Sequence, residues 1–195
     1  MAGRKQFDMD AALDAAMIQF WQDGYADTSL DDLCRVTGLN RSSIYSSLGD
    51  KDALFLHCLQ RYAERYGTAY DAALAGAADE PLAAVRAFLA VTLARIADPA
   101  VPDGCLVAQS ALSTPVLAAP LADRARQAIA GQRTRLAAAL RAGGLADAMA
   151  DAFAVHIAAV NQSLAVMSRS GADAADLRTI VGVSLDALAL ALGRA

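Results

Sequence analysis

TSLDDLCRVTGLNRSSIYSSLGDKDALF, from Thr28 to Phe55, holds two helix starts and two glycine breaks in close succession. Ser29 followed three residues later by Asp32 has the form of a capping box, in which each side chain satisfies the other's orphan backbone N–H. Leu30, Leu33, Cys34 and Thr37 then share one helical face, in a helix about two turns long at 3.6 residues per turn. Gly38 and Leu39 turn the chain, Asn40 can cap a third helix over Arg41 to Leu48, and Gly49-Asp50 ends that helix and opens a fourth. The reading is helix, tight glycine turn, helix.

Helices this short do not stand alone, because nucleation is costly and packing must supply what propensity does not. They must lie on helices 1 and 4. Upstream, Leu13, Met17, Phe20 and Trp21 form one stripe of a helix from Asp8 to Gln22, with Asp8 placed to cap its start. Gly24 is suited to end it, and Tyr25 to fold back as the apolar contact. In the third helix Ile44 and Leu48 point inward, while Ser42 and Ser46 lie opposite, flanked by Ser43 and Tyr45. Such an outward face after a glycine turn matches the recognition helix of a DNA-binding helix-turn-helix, with Arg41 a charged donor at its start.

The chain of 195 residues suits a small domain plus a larger one sharing an interface. Its 56% hydrophobic fraction is largely alanine, and five prolines leave room for long helices. From about Tyr66 onward alanine and leucine dominate, no alternating β run appears, and helices are expected over Pro81–Ala97, Cys105–Ser113, Leu121–Ala142, Asp147–Ser170 and Asp173–Leu192. The last two are apolar around most of their circumference, so each must bury two sides. One side can face its own core and the other a partner subunit, and Leu164 and Leu188 are the expected interface residues.

The net charge of −4 restricts any nucleic-acid contact to a local patch. The longest charge-free stretch, Gly104 to Ala122, is broken by Pro115 and Pro120, so no transmembrane span is expected. Acidic residues follow Arg4 and Lys5 where a secretory signal would place its apolar segment, which points to the cytoplasm. Cys34, Cys58 and Cys105 are too scattered for a disulfide framework or zinc site, and neither His57 nor His156 has a second ligand one turn away. No phosphate loop, nucleotide fingerprint or nucleophile motif is present, so neither an enzyme nor a cofactor or metal is expected.

The Thr28–Phe55 stretch resembles the DNA-binding signature of the TetR family, through its Thr-Ser cap, Asp-Asp-Leu, the Gly-Leu turn, Ile-Tyr in the third helix and Gly-Asp-Lys-Asp-Ala-Leu-Phe opening the fourth. The resemblance implies an all-α protein. Its N-terminal three-helix domain, residues 1–50, would bind double-stranded operator DNA. A helical ligand-binding and dimerisation domain, residues 51–195, would follow, joined by a helix over about 51–66. It implies a homodimeric regulator, usually a repressor, released by a small-molecule or electrophile effector. It further implies that Arg41, Ser42, Ser43, Tyr45 and Ser46 meet bases or phosphates, that Thr28, Ser29 and Lys51 meet the backbone, and that Arg4 and Lys5 form a basic arm. Ser46-Ser47 departs from the larger side chains the family often carries there, which leaves the operator sequence open. The rival reading is a helical bundle that binds a ligand or partner without DNA.

Several residues carry two readings. Tyr45 either contacts DNA or covers the small core. Cys34 is expected in the core, and Cys58 in the core or a lining. Cys105 follows Pro102-Asp103-Gly104 at a helix start, where backbone N–H groups favour a thiolate. With Gln109 it is the candidate sensor or ligand pocket, against the reading of Cys105 as a packing residue. His156, Asn161 and Gln162 either line a pocket or satisfy one another across a dimer.

Overall fold

The computed structural model describes residues 2–193 except 78 and 116, with residues 2–8 described by backbone alone. Among these residues the only regular secondary structure is the α-helix: α1 Ala2–Asp27, α2 Leu30–Thr37, α3 Arg41–Leu48, α4 Lys51–Ala75, α5 Pro81–Ile96, α6 Leu106–Leu112, α7 Ala119–Ala142, α8 Asp147–Arg169 and α9 Ala174–Ala191.

The short helices begin where their caps are encoded. The Ser29 side chain accepts from the Asp32 N–H at 3.1 Å and the Asp32 carboxylate accepts from the Ser29 N–H at 3.0 Å, closing the capping box. Asn40 and Asp50 cap α3 and α4 through the N–H groups of Ser43 and Ala53. Gly38 ends α2 at φ 70°, a left-handed conformation that costs glycine little and would strain a side chain.

The expected start of the first helix at Asp8 is displaced: α1 runs from Ala2, so Asp8 lies inside it. A capping residue ends a helix only where the upstream chain leaves helical geometry, and here it does not. The expected end holds. At Gly24 the backbone leaves the helical region, with φ 85° and ψ 170°, and only a short turn follows to Asp27.

The reading head is not a closed unit. Phe20, Trp21, Leu33, Ile44, Leu48, Leu54, Phe55 and Leu59 form a buried cluster that continues into Cys105, Leu106, Val107 and Leu121 of the α6–α7 region. Arg61 of α4 ties α1 down, with Nε at 2.7 Å from Asp14 and Nη1 at 3.0 Å from Asp10. A second cluster joins Tyr70, Phe88, Leu136, Leu140, Ile157, Leu164, Leu185 and Leu188 of α4, α5, α7, α8 and α9. α4 passes through both clusters and therefore connects them mechanically.

Leu164 and Leu188 correct the sequence expectation. Both are fully buried inside this second core, so they are not available to a partner. The opposite sides of the two helices expose Val155 and Val166 on α8 and Val183 and Leu190 on α9. α8 is long and apolar enough to cross a membrane by composition alone, yet it packs against α5, α7 and α9 as a core helix.

Candidate DNA-reading face and signal pocket

α3 presents the face its sequence prescribes. Ile44 and Leu48 are buried in the first cluster, whereas Arg41, Ser42, Tyr45 and Ser46 are exposed and Ser43 is partly exposed. Tyr45 keeps 56% of its surface accessible, so its ring does not cover the small core. The Arg41 guanidinium pairs with Asp31 of α2 at 2.7 Å, both side chains being mostly exposed. An ion pair of that kind is weak and is readily exchanged for a phosphate.

The flanking residues divide. Ser29 is exposed, with its hydroxyl engaged in the capping box. Thr28 differs from expectation: its side chain is fully buried and its hydroxyl donates to the Gly24 carbonyl at 2.7 Å. Thr28 thus braces the α1–α2 turn, and its hydroxyl does not face a phosphate. The Lys51 ammonium lies 4.4 Å over the ring of Tyr25, whose hydroxyl donates to Asp52. Burial, then the bond to Asp52, pushes the Tyr25 hydroxyl up to about 12, while burial lowers the Lys51 ammonium from its usual value. Arg4 and Lys5 fall in the first turns of α1, and their side chains lie outside the described residues.

Cys105 and Gln109 do come together. Both line a pocket of about 300 Å³ between α6 and the end of α8. The Gln109 Oε1 is buried without a hydrogen-bond partner. The Cys105 thiol is buried, and the Tyr62 hydroxyl donates to its sulfur at 3.2 Å. Burial drives the Tyr62 hydroxyl well above its ordinary value, so the phenol stays protonated and remains a donor. Cys58 sits in the core, its thiol also raised by burial, and Cys34 is partly exposed.

The loop before Cys105 is a junction that local sequence does not announce. The Asp103 carbonyl accepts from the Trp21 indole N–H at 3.2 Å, the Gly104 carbonyl accepts from Arg95, and the Gly104 N–H donates to the Ser168 hydroxyl at 3.0 Å. Arg95 is buried and packs its guanidinium 5.7 Å from the rings of both Trp21 and Tyr66. From α8, Arg169 donates to the carbonyls of Trp21 and Gln22. α1, α4, α5 and α8 therefore converge on three consecutive residues.

Asn161 and Gln162 belong to a polar cluster inside the subunit. Both donate to the Gln132 Oε1, at 3.1 and 2.7 Å, and Asn161 also accepts from Thr92, which is bonded to Tyr70. His156 is apart from them, exposed on α8. Among the described residues no three His, Cys, Asp or Glu side chains gather as a metal site.

Capped short helices presenting a polar face, carried on a larger all-helical body with its own core and pockets, define a helix-turn-helix protein of the regulator class. The chain belongs to the TetR family: residues 12–58 match the family model "Bacterial regulatory proteins, tetR family", and residues 81–182 match "Transcriptional regulator LmrA/YxaF-like, C-terminal domain". It is 46% identical over 70 residues to the HTH-type transcriptional repressor ComR of Escherichia coli, and 39% identical over 64 residues to the uncharacterized HTH-type regulator YezE of Bacillus subtilis. These matches cover 36% and 33% of this chain and 33% of each curated relative.

Among solved structures, a cysteine mutant of the TetR family regulator CifR complexed with 26-bp operator DNA is 29% identical. The likeness covers 91% of this chain and 95% of that one, with a TM-score of 0.77. A TetR family regulator from Agrobacterium tumefaciens is 26% identical, over 93% and 97% of the two chains, with a TM-score of 0.77. A TetR regulator from Chloroflexus aurantiacus shares the fold at a TM-score of 0.82 and 23% identity, over 94% and 95%.

Proposed function

We propose that this chain is a homodimeric, cytoplasmic DNA-binding repressor, not an enzyme, whose operator affinity falls when a small molecule or covalent adduct occupies its larger domain. Residues 1–50 form the reading head and residues 51–195 the sensing and dimerising body. The observation that carries the reading is the outward face of α3, where Arg41, Ser42, Tyr45 and Ser46 stand exposed while Ile44 and Leu48 anchor the helix from behind. Side chains of this kind supply both phosphate and base-edge hydrogen bonds. Support comes from the operator complex of the CifR mutant and from the repressor ComR, to both of which this chain is similar.

Two copies meet through the exposed apolar sides of α8 and α9, around Val155, Val166, Val183 and Leu190. The signal acts at the Cys105 junction, because its neighbours Asp103 and Gly104 hold Trp21 of α1, Arg95 of α5 and Ser168 of α8. A ligand or adduct there shifts the spacing of the two reading heads only in so far as it binds the DNA-bound and released states unequally.

Gel-shift titration against the DNA upstream of the chain's own gene, across a salt series, tests the reading. Specific retardation that weakens with salt is expected. Equal affinity for unrelated DNA of the same length removes it.

A further inference from the structure

A cavity of about 420 Å³ opens between α4 and α7, with Tyr62 and Cys105 among its walls. Its polar groups are not evenly satisfied. Thr92 donates its single hydroxyl proton to the Asn161 Oδ1, which fixes the orientation of the Asn161 amide and makes Tyr70 the donor to Thr92. The Asn161 Nδ2 then points to the Gln132 Oε1, and Gln162 supplies a second donor to that oxygen. Gln132 is thereby oriented too. Its Nε2 is left without a partner on a residue that is 93% buried and lines the cavity.

The charges at the mouth balance, two carboxylates against two guanidiniums, but only one of each is joined in an ion pair. Asp71 pairs with Arg135 at 2.7 Å, and Glu64 accepts from Gln60 at 2.8 Å. Gly67 makes the first of these possible, since a Cβ there would stand 3.0 Å from the Arg135 guanidinium. The remaining charged lining residue, Arg124, is half-buried and has no carboxylate within ion-pair distance. Its neighbour Asp123 is taken by Arg126. Two donors thus stand unspent in the wall, the Arg124 guanidinium and the Gln132 Nε2, beside the rings of Tyr62 and Tyr66, with the Thr68 hydroxyl and the Gln127 amide on the exposed rim.

We infer that this cavity binds a small organic anion, a carboxylate on a flat aromatic or unsaturated body, with the carboxylate on Arg124 and the Gln132 Nε2 and the body against Tyr62 and Tyr66. Arg–carboxylate pairing is directional and strong where water is excluded, and tyrosine rings favour a flat partner. The inference rests on the proposed regulator, for which it names the chemical class of effector and its seat. Because Tyr62 also donates to Cys105, a ligand against that ring acts directly on the junction held by Trp21 and Arg169.

The test is calorimetric titration of the full-length protein with benzoate, cinnamate and biphenyl-4-carboxylate, each beside its neutral amide. At least one carboxylate is expected to bind about tenfold or more tightly than its amide. Arg124→Gln should abolish that preference while retaining the amide's affinity, and Ala128→Phe, which fills the cavity from α7, should remove both, with folding of each variant verified by circular dichroism. The inference is overturned if acid and amide bind alike, if the preference survives in Arg124→Gln, if Ala128→Phe binds unchanged, or if none of the carboxylates binds at millimolar concentration. Gel shifts with the same compounds separate this from the regulator reading. A carboxylate that binds as described but leaves operator affinity unchanged supports the anion site and removes its effector role. Absence of any specific DNA binding removes the regulator and leaves the calorimetry to stand by itself.

Discussion

Arg169, in the last turn of α8, donates from Nη2 to the carbonyl oxygen of Gln22 at 2.7 Å, across 147 residues of chain. Its Nη1 takes the neighbouring Trp21 carbonyl at 3.1 Å. Both oxygens belong to the last turn of α1 before the Gly24 break, where helix carbonyls lack an intrahelical donor and a cation meets the negative end of the dipole. The body of the protein thus holds the reading head by its backbone, at the root of the turn that leads into α2.

Arg169→Ala should therefore loosen the reading head more than it destabilises the fold. The side chain is exposed, so we expect about 1 kcal/mol lost, a fall in melting temperature of a few degrees for a chain of this size. Amide hydrogen exchange over residues 22–38 should accelerate while α7 and α9 keep their protection. Uniform acceleration across the chain would show that Arg169 serves global stability instead.

Tyr45→Ala should cut specific operator affinity by about tenfold or more while leaving the helical circular dichroism signal and oligomeric state unchanged, since the residue is exposed and belongs to neither core cluster. Wild-type affinity in this variant would exclude α3 as the reader.

Substitutions on the final helices should separate core from interface. Leu164→Glu and Leu188→Glu place a charge in the subunit's own core and should unfold the chain, at a cost of several kcal/mol. Val155→Glu and Val183→Glu fall on the exposed sides and should yield folded monomers. Sedimentation with circular dichroism distinguishes these outcomes, and an intact dimer in both valine variants would move the interface elsewhere.

The Arg61 strap sets a pH dependence. The hydrogen bond from Arg61, then its charge and that of Arg65, hold the Asp14 carboxyl below its ordinary value against the opposing effect of burial. A carboxylate depressed in the folded state contributes stability above the unfolded value of about 3.9, and that stability is lost as the pH falls through the lower folded value. Asp14 is half-exposed, so screening limits the contribution to about 1 kcal/mol or less. The urea midpoint of Asp14→Asn should lie below that of wild type at neutral pH and converge with it in strong acid. A gap independent of pH would remove the assignment.

Thiol labelling should follow access. Cys58 is buried and its thiol is raised by burial, whereas Cys105 lines two cavities and Cys34 is partly exposed. Iodoacetamide should label Cys58 last, as read by peptide mass spectrometry. If adducts at Cys105 carry the signal, Cys105→Ser should bind operator normally and lose its response to electrophiles. Equal responses in both proteins would leave Cys105 as a packing residue.

Local features were legible in the sequence. Ser29 with Asp32, Asn40 and Asp50 start their helices because a cap uses atoms within three residues of itself. The Gly24 break and the outward face of α3 follow from backbone preference and helical period in the same way. The start of α1 escaped, since a residue suited to cap does so only where the upstream chain leaves helical geometry, and α1 already runs from Ala2. Choices between equivalent surfaces fell to packing. Two apolar sides of α8 and α9 read alike, and only packing against α5 and α7 put Leu164 and Leu188 inward and left Val155 and Val183 outside. Likewise nothing near Arg169, Gln132 or Thr28 announces the carbonyls of α1, the unspent amide in the α4–α7 cavity or the buried hydroxyl under Gly24. Those roles arise from partners that folding brings together, from as near as four residues to as far as 147.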